Sequence, residues 1–124
     1  MPVNSRAKGK RGELEFAKAL TNAGYPARRG IQFRGGQDSP DVICEALDRW
    51  HFEVKLYGTC QLFAPATLTE WDAQARADAG HKRPVIAHRW ARSGWWVRTL
   101  PGNGARPYWQ PLTDWLADVE AGLA

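Results

Sequence analysis

The chain has 124 residues, 44% of them apolar, with a formal net charge of +4. That length suits one domain with a core of its own, and that composition excludes a wholly disordered chain. No apolar run approaches the ~20 residues that cross a bilayer, and the N-terminus lacks the apolar stretch of a secretory leader. An intracellular, cytoplasmic protein with no membrane partner is expected. Cys44 and Cys60 have no metal-ligand spacing and read as free thiols of a reducing compartment, Cys44 in a buried strand. The charge is lopsided: residues 1–36 hold eight Lys/Arg against two acids, and the rest hold nine against eleven. A basic end on a near-neutral body points to a phosphate-binding surface more than to a solubilising tail.

Residues 1–9 have no periodicity and read as a flexible basic arm. "KRGELEFAKALTNAG" reads as a helix capped by Gly24. "YPARRGIQF" follows as a short strand and "RGGQDSP" as a Gly-rich loop. "DVICEAL" and "HFEVKLY" read as strands of a hairpin, turning near Asp48 and Arg49. "GTCQLFAPA" is irregular. "TLTEWDAQARADAG" is a second helix, opened by a Thr67–Glu70 capping box and closed by Gly80. "RPVIAHRW" and "GWWVRTL" are two further strands around the turn "ARSG". "PGNGARP" is a loop, and "LTDWLADVEAGL" closes the chain as a helix with Leu112, Leu116, Val119 and Leu123 on one face. The order predicts a single domain over 1–124, an α/β sandwich around a mixed sheet of about five strands.

The chemistry-bearing residues fall in the first half. On a wheel of about 100° per residue, Glu13 lies in the middle of the apolar face of the first helix, among Phe16, Ala17 and Leu20, whereas Glu15 faces water. A carboxylate there is costly unless paired or metal-bound, although first-turn acids also favour the helix dipole. Asp41 follows "SP", which also marks turns. In "HFEVKLY", Phe52, Val54 and Leu56 point one way, and His51, Glu53, Lys55 and Tyr57 the other. A solvated strand face is the bland reading of that alternation, and His51 reads as a peripheral surface histidine rather than a ligand. The hairpin, however, brings Asp41 near Glu53 and Lys55. Carboxylates beside a lysine suit Mg²⁺-assisted phosphodiester hydrolysis, because Mg²⁺ takes hard oxygen ligands.

"PD" at 40–41 and "EVK" at 53–55 resemble the P-D…(D/E)-x-K nuclease signature. "KGKRGELE", "SPDV" after a Gly-rich loop, "FEVK" and the later "PVIAHRW…GWWV" together resemble the archaeal-type Holliday junction resolvases over roughly residues 8–100. The resemblance implies a restriction-endonuclease-like fold and a homodimeric endonuclease that cuts opposed strands of a four-way DNA junction. It places metal carboxylates on Asp41 and Glu53, with the Val54 carbonyl contributing, the helix glutamate on Glu13 and the catalytic lysine on Lys55. Mg²⁺ is the implied cofactor, with Mn²⁺ able to substitute, and no small-molecule cofactor is implied. Lys8, Lys10, Arg11, Arg28, Arg29 and Arg34 are the candidate phosphate contacts. Gln61 is placed at the rim of the site, and Phe33 is either a stacking wedge or a packing residue.

Residues 101–124 have no counterpart in the resemblance and read as an extension that lengthens a dimer interface or covers a sheet edge. Two alternatives stand beside the resolvase: the same nuclease chemistry on other DNA, in repair, restriction or exonuclease action, and a DNA-binding module without catalysis.

Overall fold

The computed structural model describes residues 5–30 and 41–124. Its elements are α1 (Ser5–Asn22), β1 (Arg28–Arg29), β2 (Val42–Ile43), a 3-10 turn (Glu45–Leu47), β3 (Trp50–Leu56), α2 (Pro65–Ala79), β4 (Arg83–Arg89), β5 (Trp96–Thr99), β6 (Tyr108–Pro111) and α3 (Leu112–Glu120). The six strands form one sheet in chain order, antiparallel except for β3 and β4. That parallel pair is joined by α2, because parallel neighbours need a crossover. The architecture is the expected α/β arrangement, a mixed sheet with helices on both faces, with six strands among the described residues rather than five.

Both faces of the central pair are covered, so β3 and β4 are buried along most of their length. One face packs against α1 and α3. Phe16 and Leu20 of α1 meet Phe52, Val85 and Val97, and Trp115 of α3 sets its ring edge-on to Trp50 and Phe52. The other face packs against α2, where Leu68, Trp71 and Ala75 cover Ile86.

Several boundaries differ from the sequence reading. The helix expected from residue 10 begins at Ser5, so residues 5–9 are helical rather than a loose arm. Ala, Lys and Arg are good helix formers, and Gly9 alone does not break the run. Gly24 does act as the cap, at φ +99, with the Tyr25 N–H donating to the Leu20 carbonyl. The strand expected from Tyr25 to Phe33 is two residues long where described. Phe33 and Arg34 lie outside the described residues, as does most of the Gly-rich loop. "DVICEAL" pairs only at Val42 and Ile43 before the 3-10 turn.

The Thr67–Glu70 capping box does not form. α2 starts two residues earlier, with Pro65 in its first turn, where its fixed φ suits a helix and its missing N–H costs nothing. β6 was not anticipated; it pairs with β5 from Tyr108 opposite Thr99 to Pro111 opposite Trp96. α3 stops at Glu120, leaving Leu123 beyond the helix and 76% exposed.

Candidate active site

Three elements meet where β2 begins. Asp41 is held by main-chain groups on both sides. Its N–H donates to the Phe52 carbonyl at 3.1 Å, its carbonyl accepts from Gly30 N–H at 2.8 Å, and its Oδ2 accepts from Val54 N–H at 2.7 Å. Phe52 is also the register partner of Val42. Asp41 and Val42 therefore both address one residue of β3, a bulge-like irregularity of the kind that re-aims a side chain beside a site.

β3 supplies His51, Glu53 and Lys55 on its α2-facing side. The reading of His51 as a surface histidine is corrected here, and the alternative of a solvated strand face fails with it: His51 is fully buried and Glu53 is 4% exposed, because α2 lies over them. His51 Nε2 lies 3.0 Å from Glu53 Oε1. Burial pushes the Glu53 carboxyl up to about 7, against the pull of His51, and the charge of Asp41 and a hydrogen bond shared with Asp78 of α2 raise it further. Lys55 Nζ donates to Gln74 Oε1 of α2 at 3.1 Å and lies 5.8 Å from the centre of the Trp71 ring.

α1 supplies Glu13, and Gly12 is the reason it can come so close. A Cβ on Gly12 would lie 2.9 Å from the Leu56 Cβ and 3.5 Å from Val54 Cγ1. The helix backbone thus rests directly on β3. The Glu13 side chain is 13% exposed, and its Oε1 accepts from Arg29 Nε at 2.6 Å. Burial raises its pKa most. The Arg29 bond opposes this, and the nearby Asp41 charge raises it again.

Asp41 is thus the common neighbour: its charge acts on both Glu13 and Glu53. Among the described residues, no three His, Cys, Asp or Glu side chains converge on one ligand point. Glu13 turns an oxygen to Arg29, Glu53 turns one to His51, and Asp41 turns one to Val54. The donor set is nonetheless hard oxygen, and burial together with the Asp41 charge raises the pKa of Glu13 and Glu53, a crowding of carboxylates that a cation among them would relieve.

Behind Lys55 stands His88, fully buried. Its Nε2 accepts from the Gln61 N–H at 3.1 Å, so its Nδ1 carries the proton and donates to the Lys55 carbonyl at 2.8 Å. Its ring packs among Tyr57, Trp71, Trp90 and Trp109. Burial lowers its pKa. Through this ring the Gln61 main chain is tied to the Lys55 main chain.

The expected phosphate contacts are unevenly disposed. Lys10 and Arg11 are exposed on α1. The Lys8 side chain and Arg34 lie outside the described residues. Arg28 pairs with Glu45 at 3.4 Å, and Arg29 with Glu13. Sequence reasoning missed Gly12, Gln74, Asp78 and His88. A signal for two of them existed: Trp71, Gln74, Ala75 and Asp78 form an i, i+3, i+4, i+7 stripe on α2, which puts both polar residues on its sheet-facing side.

Comparison with known proteins is sparse. No protein-family model matches the chain, and no curated protein is detectably similar in sequence. One similar solved structure is that of Hjc from Archaeoglobus fulgidus, described as a Holliday junction resolvase from an archaeal hyperthermophile. It is 17% identical, with a TM-score of 0.45, over 86% of this chain and 91% of that one. No helix among the described residues is long and apolar enough to cross a membrane.

Proposed function

We propose that the chain is a metal-dependent, structure-specific DNA endonuclease that resolves four-way junctions by paired nicks, acting as a homodimer so that two sites cut opposed strands. The observation that carries this reading is the position of Asp41: its charge bears on Glu13 and Glu53, with Lys55 two residues beyond Glu53 on the same strand face. A pure DNA-binding module has no use for three carboxylates beside phosphates, which they repel unless a cation intervenes.

Asp41, Glu53 and the Val54 carbonyl would hold Mg²⁺, with Mn²⁺ a substitute and Glu13 joining directly or through water. Bound there, such an ion would supply Lewis-acid polarisation of the phosphate and a more acidic water. The protein's own groups do the rest. Val54 N–H fixes one Asp41 oxygen, and His51 fixes one Glu53 oxygen. Lys55, steadied by Gln74 and Trp71, orients the attacking water and offsets charge that builds on the phosphate. Glu53, whose pKa burial raises to about 7 in the metal-free chain, would have to be ionised to serve as a ligand. Products with 5′-phosphate and 3′-hydroxyl ends are expected.

The test is cleavage of end-labelled four-way, Y-shaped and linear DNA of one sequence, with Mg²⁺ or with chelator. Symmetric paired nicks on the junction alone, lost with chelator, support the reading. Metal-dependent cuts on the other substrates keep the nuclease and remove the junction specificity. Binding without cuts under any divalent metal removes both.

A further inference from the structure

The arginines near the candidate site are largely committed to carboxylates. Arg28 pairs with Glu45, Arg29 with Glu13, Arg89 with Glu15 and Arg98 with Asp72. At the other end of the sheet the pattern reverses. Trp50 and Arg83 are register partners at the start of β3 and β4, and the Arg83 N–H donates to the Arg49 carbonyl. Arg49, His81, Lys82 and Arg83 line a concavity of 360 Å³ whose wall contains one acid, Asp48. Lys82 also lines an adjoining concavity of 640 Å³ together with Arg76 and Arg106.

Two of these cations are held by neutral partners: Arg49 lies 5.7 Å over the Trp50 ring, and Arg76 donates to the Pro101 carbonyl. Among the described residues, none of Arg49, Arg76, Lys82 and Arg106 forms an ion pair with a carboxylate. Such partners orient a guanidinium without cancelling its charge. Gly80, Gly102 and Gly104 form part of the second concavity's wall, and a Cβ at Gly102 or Gly104 would meet nothing within 4 Å. Bare backbone and uncancelled cations together suit a close approach by a sugar–phosphate chain.

We propose that this basic end is a second DNA-binding surface, which grips duplex phosphates on an arm of the substrate away from the point of cleavage. The seven residues of β3 separate it from the Lys55 end by about 20 Å, at roughly 3.3 Å per residue. A duplex carries a charge every ~1.7 Å, so one arm offers many phosphates over that distance. The choice of DNA as the polyanion rests on the nuclease reading.

The experiment uses the full chain carrying Arg49→Gln, Lys82→Gln and Arg106→Gln together, with the charge-retaining set Arg49→Lys, Lys82→Arg and Arg106→Lys beside it. Junction and linear-duplex affinities are measured in chelator over a range of salt. Removing one cation that neutralises a phosphate flattens the slope of log K against log salt by about 0.9. The Gln set is expected to flatten it by about two to three and to weaken binding at least tenfold at moderate salt. The charge-retaining set should restore both, and the cleavage rate at saturating DNA should match wild type. An unchanged slope and affinity in the Gln set overturns the proposal. So does loss of binding to polyglutamate with DNA binding intact, which assigns the surface to an acidic protein. A wild-type chain that binds with the steep slope but never cuts overturns the nuclease reading and leaves this surface standing.

Discussion

The Val54 N–H donates to the Asp41 carboxylate at 2.7 Å, across the junction of β2 and β3. One oxygen of the central carboxylate is thus a structural acceptor as well as a neighbour of the candidate metal position. Asp41→Ala is expected to abolish cleavage and also to cost about 1–3 kcal/mol, because a main-chain donor loses its partner. Asp41→Asn keeps an acceptor and should regain most of the melting temperature while cutting no better. Thermal melts beside a cleavage assay separate the two roles. A full return of cutting in Asp41→Asn would place the metal elsewhere.

Glu53 makes stability depend on pH. Its folded pKa of about 7 lies above the ordinary carboxylate value. Between the two the unfolded chain binds fewer protons, so this group's contribution is full at low pH and is lost as pH rises through about 7. Melting temperatures in chelator should fall over that window in wild type and fall less in Glu53→Gln. Cleavage in Mg²⁺ should move the opposite way, rising with pH as the carboxylate ionises, and over a lower range than the melts in chelator because a bound cation favours the ionised form.

His88 carries the reverse sign. Its pKa is lowered, so stability is present at neutral pH and lost as pH falls below about 6.5, the unfolded histidine value. His88→Gln offers one donor and one acceptor without titrating. It should keep the Lys55 carbonyl and Gln61 N–H satisfied and remove the acid-side loss. His88→Phe keeps the ring contacts and orphans both main-chain groups, at a cost of about 2–4 kcal/mol. Urea melts at pH 5.5 and 7.5 distinguish the three proteins.

Two glycines of α1 should respond oppositely to alanine. At Gly9 a Cβ meets nothing within 4 Å, so Gly9→Ala should stabilise by about 0.5–1 kcal/mol. At Gly12 it meets the Leu56 Cβ at 2.9 Å. Overpacking of that kind costs about 1–3 kcal/mol, more than the gain in helix propensity. Gly12→Ala should also lift Glu13 away from β3 and slow cleavage at least tenfold. Equal melting temperatures for the two variants would contradict the close approach.

The order of helices and of five strands was legible because each long element has its own period and punctuation: the alternation of "HFEVKLY", the glycines that close α1 and α2, and the turn between β4 and β5. β6 escaped because "YWQP" is four residues with no alternation, between a loop and a helix. The burial of His51 and Glu53 escaped for a different reason. Period-2 alternation reports which residues share a face, not whether a second layer covers that face, and here α2 does. Pro65 displaced a plausible capping box because a proline at a helix start competes with any cap downstream. The carboxylates and lysine of the candidate site were proposed from residue type and strand context. Their supports, Gly12, Gln74, Asp78 and His88, arise from contacts between elements distant in sequence.

The central claim is that these carboxylates and Lys55 form a metal-dependent nuclease centre. Its most direct test is single-turnover cleavage of an end-labelled four-way junction by wild type and by Lys55→Met, in Mg²⁺ and in chelator, at DNA concentrations shown to saturate both proteins. Expected are paired symmetric nicks by wild type in Mg²⁺ and none in chelator, with Lys55→Met bound but slowed by about 10²-fold or more. Cutting by Lys55→Met at the wild-type rate, or cutting by wild type that chelator leaves untouched, would contradict it.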